Sequence, residues 1–376
     1  MKRRTMQRNV LITGGAGFIG SHLTDLLLSI GWSVRILDCL SEQVHPGRAR
    51  PAHLARDAEL MIGDLRDPPT VQRALAGVDA VVHLAAEVGV GQSMYEIVRY
   101  TAANELGTAV LLEALSRQPV ARLVCASSMS IYGEGLARTI DGAEVAPPER
   151  PGEQLRRGEW ELQDVDGAPL TPVPTPERKQ PSLSSVYALN KYTQERLCLI
   201  VGKAYGIPTV ALRFFNVYGP RQALSNPYTG VLAIFAARLI NNRPPLIFED
   251  GRQRRDFVHV RDVARACALA LEAARGSGDV FNVGSGQSRT ITSIAEDFAK
   301  VLGRPGLAPH ITGKYRVGDI RHCFADGSKI RAELGFAPRV DFRDGLEELA
   351  AWVAGQVARD SVDAATAELE SRGLVA

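Results

Sequence analysis

The sequence lacks the features that mark several specialised classes of protein. It has no apolar run of about 18 residues, and no apolar core follows the basic start Met1–Arg4, so we expect neither a membrane span nor a signal peptide. Its net charge of +2 includes no block of one sign, which argues against nucleic acid or a membrane surface as a partner. The five cysteines are scattered and form no C-x-x-C pair, which argues against a disulfide framework or a zinc site. These absences favour a cytoplasmic globular protein without a bound metal.

What the sequence does contain is an alternation of strand and helix patterns. A hydrophobic content of 45% and a charged content of 23% are ordinary for a globular protein, and 376 residues can bury a large core. Helical patterns such as Thr108–Leu115 separate short apolar runs, and this alternation predicts an α/β fold with a Rossmann-type doubly wound parallel sheet. After an apolar run at Val10–Thr13, the predicted strands are Val34–Asp38, Glu59–Asp64, Ala80–Ala85, Arg122–Ala126 and Thr209–Phe214.

Two regions depart from this alternation. Residues 135–184 contain eight prolines and show no clear period, so they form an insert. It is either a surface excursion, such as a two-stranded flap around Trp160, or a lid over a substrate. From Gly230 onward the pattern becomes more helical, which predicts a smaller mixed α/β lobe over the carboxyl edge of the sheet, where ligands bind. The helices predicted there are Val231–Asn241, Val263–Ala274, Ile291–Leu302 and Phe342–Ala354.

A glycine-rich turn follows the first predicted strand. Gly14, Gly17 and Gly20 are spaced three apart, and an apolar helix pattern begins at once. The first glycine permits a sharp turn, the second lets the backbone approach a pyrophosphate, and the third lets the helix pack closely on the strand. Asp38 ends the second strand, where a carboxylate hydrogen-bonds the adenosine ribose and repels a 2′-phosphate. The sequence therefore predicts an NAD site in residues 1–207, leaving residues 208–376 as a mainly substrate-binding lobe with strands that return to the sheet.

A tyrosine and a lysine lie four residues apart in a predicted helix. Tyr187 and Lys191 share one helix face, and a nearby ammonium stabilises a phenolate, so we expect the pKa of Tyr187 to be lowered toward neutrality. Such a tyrosine is a general base at working pH. Ser127 and Ser128 end the fifth strand, where a hydroxyl can bridge a substrate oxygen and the tyrosine. An ordinary helix-surface pair and a serine that caps a turn stay open as simpler explanations.

These elements together resemble the extended short-chain dehydrogenase/reductase superfamily, in its branch of nucleotide-sugar epimerases and dehydratases. The resemblance runs from Val10 to about Trp352, apart from the insert. His83–Ala86 is similar to the family's cofactor-lining strand, and Asn104 lies in its asparagine-x-x-Gly-Thr motif. Further matching segments are Arg213–Arg221, Arg255–Asp262 and Arg316–Asp319.

The resemblance implies roles for individual residues. Ser128, Tyr187 and Lys191 form the implied catalytic set, and Arg255 and Arg316 are expected to meet the substrate diphosphate, since guanidinium presents paired donors to phosphate oxygens. The implied NAD contacts are Gly14, Gly17, Phe18, Ile19, Gly20, Asp38, Asp64, Leu65, Leu84, Ala85, Ala86, Asn104, Tyr187 and Lys191. The implied substrate contacts are Val88, Ser128, Met129, Asn216, Arg255, Arg316 and Cys323.

The resemblance also narrows the reaction. Members of this branch begin by oxidising the sugar at carbon 4. Met129 and Ser130 stand where dehydratases carry an Asp-Glu pair, and decarboxylating members carry a glutamate where Ser130 stands. Neither residue can shuttle a proton as a carboxylate does, which leaves 4-epimerisation as the expected reaction.

The segments around the expected sugar position are apolar and contain methionine. Val88–Glu96, Ser128–Gly135 and Gln222–Tyr228 resemble those of enzymes that interconvert dTDP-L-rhamnose and dTDP-6-deoxy-L-talose, and an apolar wall would suit a methyl at carbon 6. Cys323 matches a size gate of UDP-hexose epimerases, so a UDP-hexose or UDP-glucuronate substrate stays open. Two further candidate functions are a 4-keto reductase, which Asp38 disfavours because it would need NADPH, and a catalytically inactive NAD-sensing protein.

The branch commonly forms homodimers through two helices, here Glu105–Leu115 and Tyr187–Tyr205.

Overall fold

A seven-stranded parallel sheet forms the centre of the computed structural model, which describes residues 8–228, 230–273 and 275–376. The strands in chain order are β1 (Arg8–Thr13), β2 (Trp32–Asp38), β3 (Glu59–Ile62), β4 (Ala80–His83), β5 (Arg122–Ser128), β6 (Ala137–Arg138), β7 (Glu144–Val145), β8 (Thr171–Pro172), β9 (Thr209–Phe214), β10 (Asn216–Tyr218), β11 (Leu246–Ile247), β12 (Arg254–His259), β13 (Asp279–Val283), β14 (Ser288–Thr290), β15 (His310–Ile311) and β16 (His322–Cys323). The central sheet has the order β13-β9-β5-β4-β1-β2-β3 with every pair parallel. This is a doubly wound Rossmann-type sheet, and the predicted fold class is confirmed.

Helices cover both faces of this sheet. In chain order they are α1 (Phe18–Ser29), α2 (Pro68–Leu75), α3 (Val90–Ser93), α4 (Ile97–Thr101), α5 (Gly107–Arg117), α6 (Gly152–Arg156), α7 (Val186–Tyr205), α8 (Val231–Ile240), α9 (Val260–Glu272), α10 (Ile291–Val301), α11 (Ser328–Leu334), α12 (Phe342–Ala354) and α13 (Val362–Ser371). Short 3₁₀ segments lie at Pro46–Arg48 and Met129–Tyr132, and a π-helical stretch, Ala102–Leu106, precedes α5. α1 and α9 pack on one face, whereas α2, α5 and α7 pack on the other.

The strands are apolar because both of their faces are buried. Val10 and Ile12 of β1 face the core beneath α1 and α9, while Leu11 faces the opposite core with Val81 and Leu123. Alternate residues of one strand thus supply two separate cores, which explains why the predicted strands read as continuous apolar runs.

The second half of the chain builds a smaller lobe with its own core. β10, β12, β14 and β16 form one small sheet, β11 and β15 form another, and α8, α10 and α12 bury their apolar faces together. β9 and β13 return to the central sheet, and the predicted helices of the lobe are present. The helix predicted from Val263 begins at Val260 instead; its predicted last residue, Ala274, lies outside the described residues, as does the basic start at Met1–Arg4.

The insert differs from the expected two-stranded flap. It contains a three-stranded sheet, β7-β6-β8, and the short helix α6, whereas Trp160 lies outside these strands. A single bridge joins Gln163 to Pro169. The prediction of two strands was therefore wrong, because short pairings in a proline-rich segment leave no period-2 pattern to read.

Candidate functional site

The glycine turn between β1 and α1 has the geometry that a dinucleotide needs. Gly14 adopts φ +69°, and a Cβ at that position would lie 2.8 Å from the Cα of Ala85. A Cβ at Gly20 would lie 2.5 Å from the Cα of Gly15, so α1 packs directly against the turn. No side chain of the described chain caps α1 at Gly17, which leaves first-turn N–H groups to face phosphate oxygens. The residues present therefore fit NAD.

Other residues predicted around the cofactor lie on the same edge. Asp38 accepts hydrogen bonds from the N–H of Ala16 (3.0 Å) and from that of Leu40 (2.9 Å), which holds its carboxylate beside the glycine turn. Asp64, by contrast, is half exposed and forms an ion pair with Arg66 (2.5 Å), which lowers the pKa of Asp64. The carboxylate of Asp38 is thus placed beside the turn, while that of Asp64 is committed to a neighbour.

Buried polar groups hold the backbone just after β4, where the sequence predicts contacts with the cofactor. Asn104 is fully buried; its Oδ1 accepts from the N–H of Glu87 (2.7 Å) and its Nδ2 donates to the Glu87 carbonyl (3.1 Å). This pins the backbone that follows Leu84, Ala85 and Ala86. Further predicted contacts pack nearby: Leu65 against Gly107, Ile19 against the core of the sheet, and Phe18 edge-on to His22.

Ser128, Tyr187 and Lys191 meet at the carboxyl edge of the sheet. Helix α7 begins there because Ser185 caps it, its Oγ accepting from the N–H of Ala188 (3.1 Å). The Tyr187 N–H also donates to Ser93 Oγ (3.0 Å). Ser128 lies at the end of β5, with its Oγ 2.8 Å from that of Ser130. All three predicted residues are buried.

The electrostatics of this group differ from the sequence expectation. Burial raises the pKa of Tyr187, and its hydrogen bond with Ser128 opposes that shift without reversing it. Lys191 Nζ donates to the Ala126 carbonyl (2.6 Å) and to Gln194 Oε1. Burial lowers the pKa of Lys191. The expected lowering of the Tyr187 pKa by Lys191 is therefore wrong for the protein alone, because burial is the dominant effect and the ammonium is held by other partners.

A buried ion pair that sequence reasoning missed joins α7 to the sheet. Glu195 is fully buried and pairs with Arg213 of β9 through two contacts of 2.7 and 2.9 Å. It also accepts a hydrogen bond from Ser127 Oγ (2.7 Å). Glu195 lies four residues after Lys191 and eight after Tyr187, so helical spacing alone could have placed it on the same face.

The two arginines assigned to a diphosphate converge on one carboxylate. Arg316 binds Asp319 through two contacts of 2.7 and 3.0 Å, and Arg255 Nη2 lies 3.5 Å from Asp319 Oδ1. Burial acts to raise the pKa of Asp319, but Arg316 and Arg255 outweigh it, so the pKa is lowered. An ionised Asp319 holds both guanidinium groups in place. The side chain of Arg316 is 41% exposed and can reach phosphate oxygens. Arg255, by contrast, is nearly buried and donates to the backbone carbonyls of Arg254, Ile320 and Arg321.

The remaining predicted substrate residues differ in how far they are buried. Met129 is buried, and Cys323 packs beside Thr175 (Sγ to Oγ1, 3.9 Å), where burial raises the pKa of its thiol to about 12. Val88 is half exposed. Asn216 Oδ1 is buried and finds no hydrogen-bond partner among the described residues, which makes it a ready acceptor for a ligand hydroxyl.

The insert is tied to the arginine-bearing segment by ion pairs that the sequence did not indicate. Arg150 pairs with Glu249 (2.9 Å) and donates to the Asp319 carbonyl (3.0 Å). Glu161 pairs with Arg321 (2.5 Å), a fully buried arginine. These partners lie far apart in sequence, so no local pattern could reveal them. The insert is thus packed against the lobe that carries Arg316 and is held to it by these contacts.

Neither a membrane helix nor a metal cluster is found in the part of the chain that the structure describes. No helix there is long and apolar enough to cross a bilayer. No group of three or more histidine, cysteine, aspartate and glutamate side chains in these ranges could hold a metal ion.

Comparison with known proteins identifies the family of the chain. The NAD dependent epimerase/dehydratase family matches residues 10–155 and 166–284. The chain belongs to that family and is therefore an enzyme that uses NAD as its cofactor.

Individual relatives add detail. The chain is 35% identical to a dTDP-L-rhamnose 4-epimerase of Burkholderia thailandensis, over 94% of this chain and 96% of the relative. It is 30% identical to a putative UDP-glucose 4-epimerase of Methanocaldococcus jannaschii, over 92% and 98%. Among solved structures, a Thermus thermophilus UDP-glucose 4-epimerase in complex with NAD matches with a TM-score of 0.74 at 32% identity, over 93% of this chain and 100% of that one.

Proposed function

We propose that the protein is a nucleotide-sugar 4-epimerase that converts dTDP-L-rhamnose to dTDP-6-deoxy-L-talose through a transient 4-keto sugar. The observation that carries this proposal is the hydrogen bond between Tyr187 and Ser128, together with Lys191 of the same helix donating to the Ala126 carbonyl of the strand that ends at Ser128. Similarity to the Burkholderia enzyme supports the choice of sugar and nucleotide.

Each residue of the set has a separate task in this proposal. Tyr187 accepts the proton of the carbon-4 hydroxyl and later returns it. Ser128 donates a hydrogen bond to the keto oxygen, and Lys191 fixes the nicotinamide ribose and favours the tyrosinate when NAD is in place. When bound, NAD would supply the acceptor for the carbon-4 hydride and the source from which that hydride returns to the opposite face of the turned sugar. Protons and hydride are thus balanced over one turnover.

Met129 and Ser130 support epimerisation over dehydration. Both are buried in the 3₁₀ turn after β5, and neither side chain ionises in the way that acid-base removal of the 6-hydroxyl requires. With no carboxylate at these two positions, the keto sugar is expected to be reduced again.

A second candidate is a UDP-hexose or UDP-glucuronate 4-epimerase. It is favoured by likeness to a Bacillus cereus UDP-glucuronic acid 4-epimerase solved with UDP-glucuronic acid and NAD, at a TM-score of 0.74 and 27% identity. Cys323 also places a small side chain at the position that resembles the size gate of UDP-hexose epimerases. A preference for thymine or uracil in nucleotide binding separates the two candidates.

We also propose that the protein is a cytoplasmic homodimer. Exposed apolar side chains cluster around α4 and the π-helical stretch, with Val98 83% and Leu106 53% exposed. They line an open apolar groove beside α7, which the predicted dimer helices would cover. The groove is lined by Ile97, Val98, Thr101, Ala102, Glu105, Leu106, Ala109 and Leu197. Sedimentation of purified protein tests this: a monomer at micromolar concentration would contradict it.

The reaction is tested by NMR of purified protein incubated with dTDP-L-rhamnose and no added cofactor. The carbon-4 epimer should appear, which would establish the reaction and show that NAD is retained and recycled. If nothing appears even after NAD is added, the substrate assignment is wrong, and UDP-hexoses and UDP-uronates are tested next.

A further inference from the structure

The last described residues contact two segments that the family resemblance assigns to the nucleotide sugar. Helix α13 and the tail that follows it, residues 362–376, are called the C-terminal strap below. Its first turn is anchored to the small lobe, because Asp363 accepts contacts from Arg238 (2.6 Å) and Arg243 (2.7 Å). From that anchor the strap reaches the segment around Arg316 and the segment Val88–Glu96.

One contact is with the segment that bears Arg316. The Tyr315 N–H donates to the Ala376 carbonyl (2.8 Å), and the Ala376 N–H donates back to the Tyr315 carbonyl (3.1 Å). The Val317 N–H donates to the Leu374 carbonyl (3.0 Å). The tail therefore forms a short antiparallel pairing with the backbone on both sides of Arg316, whose guanidinium lies over Phe248 and is held by Asp319.

The other contact is with the segment Val88–Glu96. Leu369 of α13 is buried and packs on Gly91, where a Cβ would lie only 3.3 Å from the leucine methyl carbons. Arg372 stacks over the ring of Tyr95 at 4.3 Å. The Tyr95 hydroxyl in turn donates to that of Tyr228 (2.7 Å).

We propose that the C-terminal strap is a positioning element for the nucleotide sugar. Its tail sets the place of Arg316 against the diphosphate, and its helix sets the place of Gly91 and Tyr95 against the sugar. Among the described residues, the strap has no direct hydrogen bond to the glycine turn or to Ser128, Tyr187 and Lys191; its indirect link to Tyr187 runs through α3, where Ser93 accepts from the Tyr187 N–H. We therefore expect it to act on substrate binding more than on the hydride step. This inference rests on the proposed function.

Two variants separate the two contacts. Ending the chain after Gly373 removes the three hydrogen bonds to residues 315 and 317. If Arg316 loses positioning free energy equal to about one backbone hydrogen bond, the affinity for dTDP should fall by up to about tenfold. Arg372→Ala leaves that pairing intact and removes the stacking on Tyr95, so the KM for dTDP-L-rhamnose should rise about two- to fivefold with dTDP affinity unchanged. In both variants kcat should stay within about twofold of the parent and NAD should be retained, because the hydride step is not altered.

The matched control is Arg343→Ala. Arg343 pairs with Glu347 four residues along α12, as Arg372 pairs with Glu368 along α13, but it is exposed and contacts no substrate segment. The dTDP affinity is measured by calorimetry, with UDP in parallel, and the melting temperature is recorded for each protein.

The results have separate meanings. Unchanged dTDP affinity after truncation together with an unchanged KM for Arg372→Ala would overturn the proposal. A loss of kcat, NAD and thermal stability together would also overturn it, because the strap would then be only structural. If the parent binds neither dTDP nor UDP and turns over no nucleotide sugar, the proposed function fails and the strap's role fails with it.

Discussion

Replacing Glu195 by glutamine tests the ion pair that joins α7 to the sheet. The substitution keeps the shape of the side chain but leaves the Arg213 guanidinium without its counter-charge, in a place where Glu195 is fully buried and Arg213 almost so. Breaking one partner of a buried pair costs about 3–5 kcal/mol. With a urea dependence of about 3 kcal/mol per M, the unfolding midpoint should fall by about 1–1.7 M.

The assay is urea unfolding followed by circular dichroism, with Glu113→Gln as the control. Glu113 pairs with Arg117 one turn along α5, but both side chains are two-thirds exposed, so its loss should cost less than about 0.5 kcal/mol. A double variant, Glu195→Leu with Arg213→Met, should be more stable than Glu195→Gln because it leaves no buried charge unpaired.

The same pair should matter for turnover. Glu195 binds Ser127, the neighbour of Ser128, and shares a helix with Tyr187, so its loss should lower kcat more than it raises KM. If Glu195→Gln loses less than about 1 kcal/mol and keeps full activity, the pair neither stabilises the fold nor positions the site, and the reasoning is refuted.

Three further predictions concern the chemistry. Tyr187→Phe should lower kcat by at least about a hundredfold while leaving NAD bound; a variant with parental activity in the NMR assay would eliminate Tyr187 as the base. Because burial raises the pKa of Tyr187, kcat/KM should rise with pH as the phenol ionises. Ser128 opposes the raised pKa, so Ser128→Ala should move the rising part of the pH profile to higher pH. A profile that keeps its midpoint in this variant would contradict the assignment. Asp38→Ser removes the carboxylate beside the glycine turn, so binding of NADP relative to NAD should improve by about tenfold or more in fluorescence titrations, and an unchanged ratio would show that Asp38 does not set cofactor choice.

The parts of the fold that could be predicted are those with a local signal. The apolar strands and the glycine turn at Gly14 each follow from residues within a few positions of one another, and helix α12 has the predicted bounds. The edge of the sheet at which the candidate site lies could also be predicted. The carboxyl ends of parallel strands lie on one side of a sheet, and this brings Ser128 toward Tyr187.

What escaped prediction depends on partners distant in sequence. Glu161 lies 160 residues before Arg321, and no periodicity links them. The pKa of Tyr187 could not be read from its spacing to Lys191, because burial and the partners Ala126 and Gln194 depend on the packed structure. Spacing in a helix predicts that two side chains are neighbours, but their burial and hydrogen-bond partners in the folded protein decide the pKa of each.

The proposed reaction places opposite demands on the two ends of the substrate. The 4-keto sugar must turn over before hydride returns, so the sugar pocket has to allow rotation, while the nucleotide must stay bound throughout. Arg316 and Arg255 are held by an ionised Asp319, and Arg150 ties that segment to the insert, so the diphosphate end is rigid. In the proposed sugar site, Met129 would offer an apolar surface, and Asn216 and Gln222 would each offer an acceptor oxygen that is unpaired among the described residues. A sugar that rotates away from an apolar wall loses little free energy, whereas each hydrogen bond that it must break would slow the rotation.

Adding a hydrogen bond at Met129, by Met129→Gln, should therefore slow turnover more than it weakens binding. A faster variant would show that rotation is not limited by this wall.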